Sequence, residues 1–200
     1  MSQTTLTGFA EVARPDTHGD VQYTPQALAD TLVRLLPRRD LATVLEPHAG
    51  GGAFVRALQR IGAHVVAFDV DGTAQGLIDA DAEATCDFLK VDPLDVQVDP
   101  VRDPKDMYLD AVVGNPPFSN AEEHIRHALD VSGRHVAFLL RVGFLCSARR
   151  VEFWLENPCA NVWPIAQRPK EWQAAYDYAF FHWDLEHTGP TILHPPVSWR

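Results

Sequence analysis

The sequence predicts an α/β protein: a Rossmann-like single domain with a mostly parallel seven-stranded sheet flanked by helices. Three observations carry this. Residues 43–68 read as strand, glycine turn, helix and strand, a βαβ unit whose crossover is right-handed and whose strands are parallel. Short apolar runs such as Ala111-Val112-Val113 recur between helical stretches, as strands buried on both faces require. The 200 residues are 46% hydrophobic, enough for one core of ordinary size with little left for a second.

The elements follow in order. Residues 1–20 mix Thr, Gly, Pro and Asp without periodicity and read as a flexible N-terminal arm. Thr24-Pro25 reads as an N-cap followed by proline at the first helical position, and Leu28, Leu32, Leu35 and Leu36 recur on one face up to Pro37. Thr43-Val44-Leu45 is a short strand, Gly50-Gly51-Gly52 a tight turn, Ala53 to Ile61 a helix ending near Gly62, and His64 to Phe68 the second strand. A helix is expected near 73–82, a strand at 84–87, a Pro/Asp-rich stretch at 92–106, and a strand at 109–113. Residues 121–131 read as a helix, 135–140 as the fifth strand and 151–155 as a helix. Strands at 160–164 and 178–185 complete the set. The domain thus spans 21–188, and 189–200, with three prolines, forms a C-terminal tail.

Composition narrows the function classes. No run of 18 apolar residues occurs and the first residues lack a basic-then-apolar leader, so a cytoplasmic protein without a membrane span is expected. Cys86, Cys146 and Cys159 form no Cys-x-x-Cys pair; buried reduced thiols are expected rather than a disulfide or a metal site. The net charge is −10. Residues 69–110 hold twelve Asp/Glu against three Lys/Arg, whereas residues 134–170 hold six Lys/Arg against two Asp/Glu. The acidity is therefore local, and one basic region remains for an anionic partner.

The residues that carry chemistry cluster at strand ends. Asn115-Pro116-Pro117-Phe118 follows the apolar strand directly. Two prolines stiffen the loop and leave the Asn115 side-chain oxygen and the Pro116 carbonyl as outward acceptors, a pair suited to a flat –NH2 group. Phe118 adds a ring face on which a planar heterocycle can stack. Gly50-x-Gly52 lets a ligand approach the backbone at a helix start. Asp69, ending the second strand, has the position that binds ribose hydroxyls in nucleotide-binding βαβ units, with Asp71 as its rival. His48 lies inside the glycine loop, where it could touch a cofactor or an incoming base. His124 and His127 share a helix face that reads as solvated, given Glu122, Glu123 and Arg126 beside them.

In order, Tyr23-Thr24-Pro25, Leu45-Glu46-Pro47-His48-Ala49-Gly50-Gly51-Gly52, Ala67-Phe68-Asp69, Cys86-Asp87-Phe88-Leu89 and Asn115-Pro116-Pro117-Phe118 resemble the S-adenosylmethionine-dependent amino-methyltransferases. The likeness runs from about Gly19 to about Asp184, and the motif order is similar to that of the compact DNA adenine-N6 members. This resemblance implies that Tyr23 and Thr24 close over the cofactor's carboxylate and that Glu46, with Pro47 and Ala49, lies around its methionine moiety. Gly50 and Gly52 would admit it, Asp69 would bind the ribose, Asp87 and Phe88 would hold its adenine, and Asn115 would border it as well. It further implies direct in-line methyl transfer at Asn115, Pro116, Pro117 and Phe118 without a covalent intermediate.

Family members with a large recognition domain read DNA sequence there, and this chain has only the loops around 141–150 and 164–177. Loops beyond the strand C-termini surround the ligand in a parallel sheet, which groups Arg141, Arg149, Arg150, Arg168 and Lys170 beside Asn115. Trp172, Tyr176 and Tyr178 interleave with them. Basic and aromatic groups together suit single-stranded DNA or a base flipped from a duplex. Cytosine N4, an RNA adenine and a protein glutamine are the alternative amines, and a non-catalytic cofactor-binding subunit is the alternative of another class.

Overall fold

The computed structural model describes residues 4–5, 22–92, 109–172 and 176–200. Its strands are β1 (Thr4–Thr5), β2 (Thr43–Glu46), β3 (His64–Asp69), β4 (Ala82–Thr85), β5 (Leu109–Gly114), β6 (Ser132–Arg141), β7 (Asn161–Pro164), β8 (Tyr178–Asp184) and β9 (Ile192–Leu193). The helices are α1 (Gln26–Val33), α2 (Ala53–Arg60), α3 (Gln75–Asp79), α4 (Ala121–Val131) and α5 (Val151–Glu156).

Side-chain alternation builds two cores around one sheet. Val44, Val65, Ala67, Ala111, Val113, Ala137, Leu139 and Phe180 pack on one face, under α1 and α2. Leu45, Val66, Phe68, Val112, Val136, Phe138 and Phe181 pack on the other with α4 and α5. Successive strand residues point to opposite faces, so runs that are apolar at every position must be covered on both sides.

The described strands form one sheet in the order β1-β4-β3-β2-β5-β6-β8-β7-β9. From β4 to β6 neighbouring strands are parallel, and β8 runs antiparallel to β6 and β7. The chain leaves β2 toward β4 on one side and continues from β5 to β6 on the other. The order therefore reverses between β2 and β5, where ligands bind beyond the strand ends in open α/β sheets.

The expected architecture holds, with nine strands among the described residues where seven were expected. The additional β1 and β9 are two-residue edges, too short to carry a hydrophobic period. Of the expected arm only Thr4–Thr5 is described, and it pairs with β4. The expected tail joins the sheet: β9 pairs with β7, Val197 bridges to Ile165, and Trp199 packs against the first core. The strand expected at 84–87 lies two residues earlier, because Ala82 and Ala84 supply the buried alternation and Asp87 instead caps a 3-10 turn over Phe88–Lys90. Residues 93–108, most of the Pro/Asp-rich stretch, lie outside the described residues.

Candidate active site

The site is assembled at the carboxyl ends of β2, β3 and β5. Gly50 and Gly52 take positive φ values of 43° and 76°, a region that side chains disfavour. The Gly50 N–H donates to Asp69 Oδ2 at 2.8 Å, and Asp69 Oδ1 accepts from the Asp71 N–H at 2.8 Å. Asp69 thus braces the glycine loop. Burial raises its pKa, opposed by those N–H donors.

Glu46 ends β2 and is 2% exposed. Its Oε1 accepts from the His48 N–H at 2.9 Å. Burial pushes this carboxyl well above the ordinary carboxylate range, with Asp69 adding to the rise. Gly114, ending β5, makes room for it: a Cβ there would run into the Glu46 carboxylate. A glycine inside a strand marks such a close approach, a signal the sequence held.

Asn115 leads directly from β5. Its Nδ2 donates to the Gln22 carbonyl at 2.9 Å and to Thr24 Oγ1 at 3.2 Å. Its Oδ1 is buried without a hydrogen-bond partner. Buried acceptors are nearly always paired, so an orphan at a strand end points to a donor that arrives from outside. Thr24 was expected to cap α1. Pro25 occupies that position, no side-chain cap bond forms, and the Thr24 hydroxyl serves Asn115 instead. Tyr23 is 65% exposed, and its ring lies over Gly50 and Gly51, 3.3–3.4 Å from where a Cβ on either would stand.

Pro116 is buried and Pro117 half-buried beside Phe118. Phe118 touches Tyr178 with centroids 5.6 Å apart. The Arg141 guanidinium lies 4.6 Å from the Phe118 centroid and 3.9 Å from that of Tyr176, between the two rings. The ring face expected to be open for a base is therefore shared with a cation. Pro47 and Ala49 are buried, and the Ala49 N–H donates to the Phe68 carbonyl, which ties the loop to β3.

Three expected positions make contacts within the fold. Phe88 is 2% exposed in the second core, stacked on His124 and edge-on to His48 and His127; its ring packs the interior. Asp87 accepts from the Leu89 N–H at 3.2 Å and lies 3.3 Å from Lys90 Nζ, so it is foremost a turn cap. Trp172 is 4% exposed and donates through Nε1 to the Tyr23 carbonyl at 3.0 Å. A buried indole cannot form part of a nucleic-acid surface.

The basic residues divide. Arg149 and Lys170 are exposed. Arg150 lies 3.6 Å from Glu122 and stacks over Phe144 at 4.2 Å, which occupies it locally. Arg168 is half-buried beside the C-terminal segment, its carbonyl accepting from Arg200.

Of the two histidines expected on a solvated face, His127 is half-buried and His124 is a further correction. His124 is 5% exposed and lies on the buried stripe of α4 with Ala121, Ile125 and Ala128, at helical spacing that the sequence displayed. Its Nδ1 is 2.9 Å from His48 Nε2. Burial lowers both pKa values, that of His124 to about 4. Cys146 is exposed where a buried thiol was expected, and all three cysteines are free. Among the described residues no helix is long and apolar enough to cross a membrane, and no cluster of His, Cys, Asp and Glu could hold a metal ion.

No family model and no curated protein sequence matches the chain. Solved structures do. A Listeria monocytogenes protein assigned to the class I S-adenosylmethionine-dependent methyltransferases superposes with TM-score 0.66 at 13% identity, over 90% of this chain and 68% of its own. A Pyrococcus horikoshii protein assigned as an RNA methyltransferase gives TM-score 0.60 at 17% identity, over 88% and 92% of the two chains. Magnesium protoporphyrin IX methyltransferase from Synechocystis PCC 6803, solved with bound S-adenosylmethionine, gives 0.54 at 14% identity, over 78% and 77%. The chain has the fold these proteins share.

Proposed function

We propose that the protein transfers a methyl group from S-adenosylmethionine to an exocyclic amine of a planar heterocycle, with adenine N6 in DNA as the favoured substrate. The observation that carries this reading is the orphaned Asn115 Oδ1, a buried acceptor beside a Pro-Pro-Phe loop at the sheet's switch point. The choice of adenine in DNA rests on the motif resemblance.

The residues present fit the cofactor. Glu46 is a buried carboxylate with no cationic partner among the described residues, and a cation-bearing ligand would relieve the cost of its ionisation. The glycine loop, Asp69 and the Tyr23 ring border the same cleft. When bound, the sulfonium supplies an electrophilic methyl group. The protein's part is then position and electrostatics. An aryl amine is a weak nucleophile because its lone pair is delocalised into the ring. Asn115 Oδ1 and the Pro116 carbonyl would each accept one of its N–H groups, which favours a pyramidal nitrogen with its lone pair aimed at the methyl group. Phe118 would stack on the base once the Arg141 guanidinium moves aside toward a phosphate. Arg149 and Lys170 would add sequence-independent phosphate contacts.

The test is incubation with tritiated S-adenosylmethionine and separate pools of DNA, RNA and protein, followed by nucleoside and peptide mass spectrometry. N6-methyladenine in DNA is the expected product. Label confined to RNA or protein would move the substrate. Absence of cofactor binding by calorimetry would overturn methyl transfer itself.

A further inference from the structure

Asn115 can accept from a substrate only if its amide is turned the right way, and a primary amide has two orientations related by a half turn. The Gln22 carbonyl breaks that symmetry. A hydroxyl such as that of Thr24 can face either end of the amide, but a carbonyl can only accept, so it selects Nδ2 and turns Oδ1 away from residues 22–24. The reverse orientation would set two acceptor oxygens against each other.

Residues 22–25 belong to no helix or strand, so ladder bonds do not fix the Gln22 carbonyl. Two side chains from far along the chain instead hold the groups on either side of it, the Gln22 side chain and the Tyr23 carbonyl. Trp172 Nε1 donates to the Tyr23 carbonyl at 3.0 Å, and the Tyr178 hydroxyl donates to Gln22 Oε1 at 3.0 Å. Both rings are buried, at 4% and 2% exposure, and pack edge to face with centroids 4.6 Å apart. Tyr178 is anchored in turn by β8, paired with Arg141 at the end of β6. Buried indole and phenol donors need partners, and these two find them on the segment that holds Asn115.

We propose that Trp172 and Tyr178 are positioning residues, which act through the Gln22-Tyr23-Thr24 segment to hold the Asn115 amide with Oδ1 facing the incoming amine. The catalytic part of this rests on the proposed methyl transfer; the orientation of the amide does not. The segment also carries Tyr23 over the glycine loop, so the parts that border the cofactor and the substrate share one support.

Tyr178→Phe removes only the hydroxyl donor, and Trp172→Phe removes the indole donor together with part of the buried ring, so the tyrosine variant is the cleaner of the two. In the free protein, exchange of the Asn115 side-chain amide protons with solvent is followed by NMR, the resonance pair being identified by its loss in Asn115→Asp. Slow exchange in the parent, accelerated at least about tenfold in either variant, is the expected result. In turnover with S-adenosylmethionine and an adenine-containing oligonucleotide, kcat should fall about tenfold while KM for the oligonucleotide stays within about threefold. Thr24→Ser should keep slow exchange and Thr24→Val should not. Unchanged exchange in both ring variants would overturn the proposal, as would a rise in KM equal to the whole loss. If the parent methylates no pool, the functional reading fails alone, and the exchange rates still decide the orientation.

Discussion

Asn115 is the residue on which the proposed methyl transfer turns. Because its Oδ1 has no protein partner, Asn115→Ala should lower turnover by at least about 100-fold while leaving S-adenosylmethionine affinity nearly unchanged. Turnover within threefold of the parent would remove Asn115 from the reaction. Glu46 gives an opposite pair of effects. Its raised pKa means that the folded state holds the proton more tightly than the unfolded chain. Its contribution to stability is therefore complete below the unfolded pKa and is lost as pH rises through the folded one. Glu46→Gln should raise Tm relative to the parent at neutral pH, with the gap closing toward pH 4.5. It should also weaken cofactor binding and flatten its pH dependence, because the parent must release a proton to offer a carboxylate. Thermal melts and calorimetry across pH check both.

At the scale of elements, β2 and β5 meet through Glu46 and Gly114. Gly114→Ala would drive a methyl group into the buried carboxylate, and overpacking of this kind costs about 1–3 kcal/mol. Urea unfolding should register the loss, and cofactor affinity should fall with it because Glu46 must move. The element boundaries follow the same physics. The α4 period is apolar at 121, 125 and 128, and the structure returns a helix over the expected residues. The end of α1 was less legible, since Leu35 and Leu36 continue the helical spacing while the helix stops at Val33. The role of Thr24 was hidden for a related reason: the residue type fits a cap, and only the arrival of Asn115, 91 positions away, draws its hydroxyl elsewhere.

Across the whole molecule, polar groups cross the sheet in one line. His194 Nε2 lies 2.8 Å from Asn161 Oδ1, Asn161 Nδ2 lies 3.1 Å from His182 Nδ1, and His182 Nε2 lies 3.1 Å from His135 Nδ1. His135 Nε2 is 3.7 Å from Asp40. Every bond can donate in the same direction with neutral rings. Burial lowers the pKa of His182 to about 4, as it does that of His124, and lowers that of His135 as well. A depressed histidine contributes stability that is complete above the unfolded value of about 6.5 and is lost as pH falls toward the folded one. Stability should therefore drop between pH 6.5 and 4, by up to about 1.4 kcal/mol per pH unit for each such group. His182→Gln should reduce the proton uptake on urea unfolding at pH 5 by about one. The surface makes a separate prediction: Arg149→Gln or Lys170→Gln should weaken nucleic-acid binding alike for all sequences and reduce the slope of log K against log salt by roughly 0.7 to 0.9. A slope that neither change alters would remove both from the interface.

The sequence by itself determined the parallel α/β class, the βαβ start and the position of the Asn-Pro-Pro-Phe loop at a strand end. These depend on local period, glycine and proline, and a residue carries that information wherever its partners lie. Tertiary structure alone decided what Phe88, Trp172, Thr24 and His124 do. Burial and hydrogen bonding at those positions are set by groups brought from distant parts of the chain, such as Tyr23 against Trp172, 149 positions apart. An aromatic ring or a hydroxyl looks the same in sequence whether it faces a ligand or the core; which one it faces is settled when the sheet closes around it.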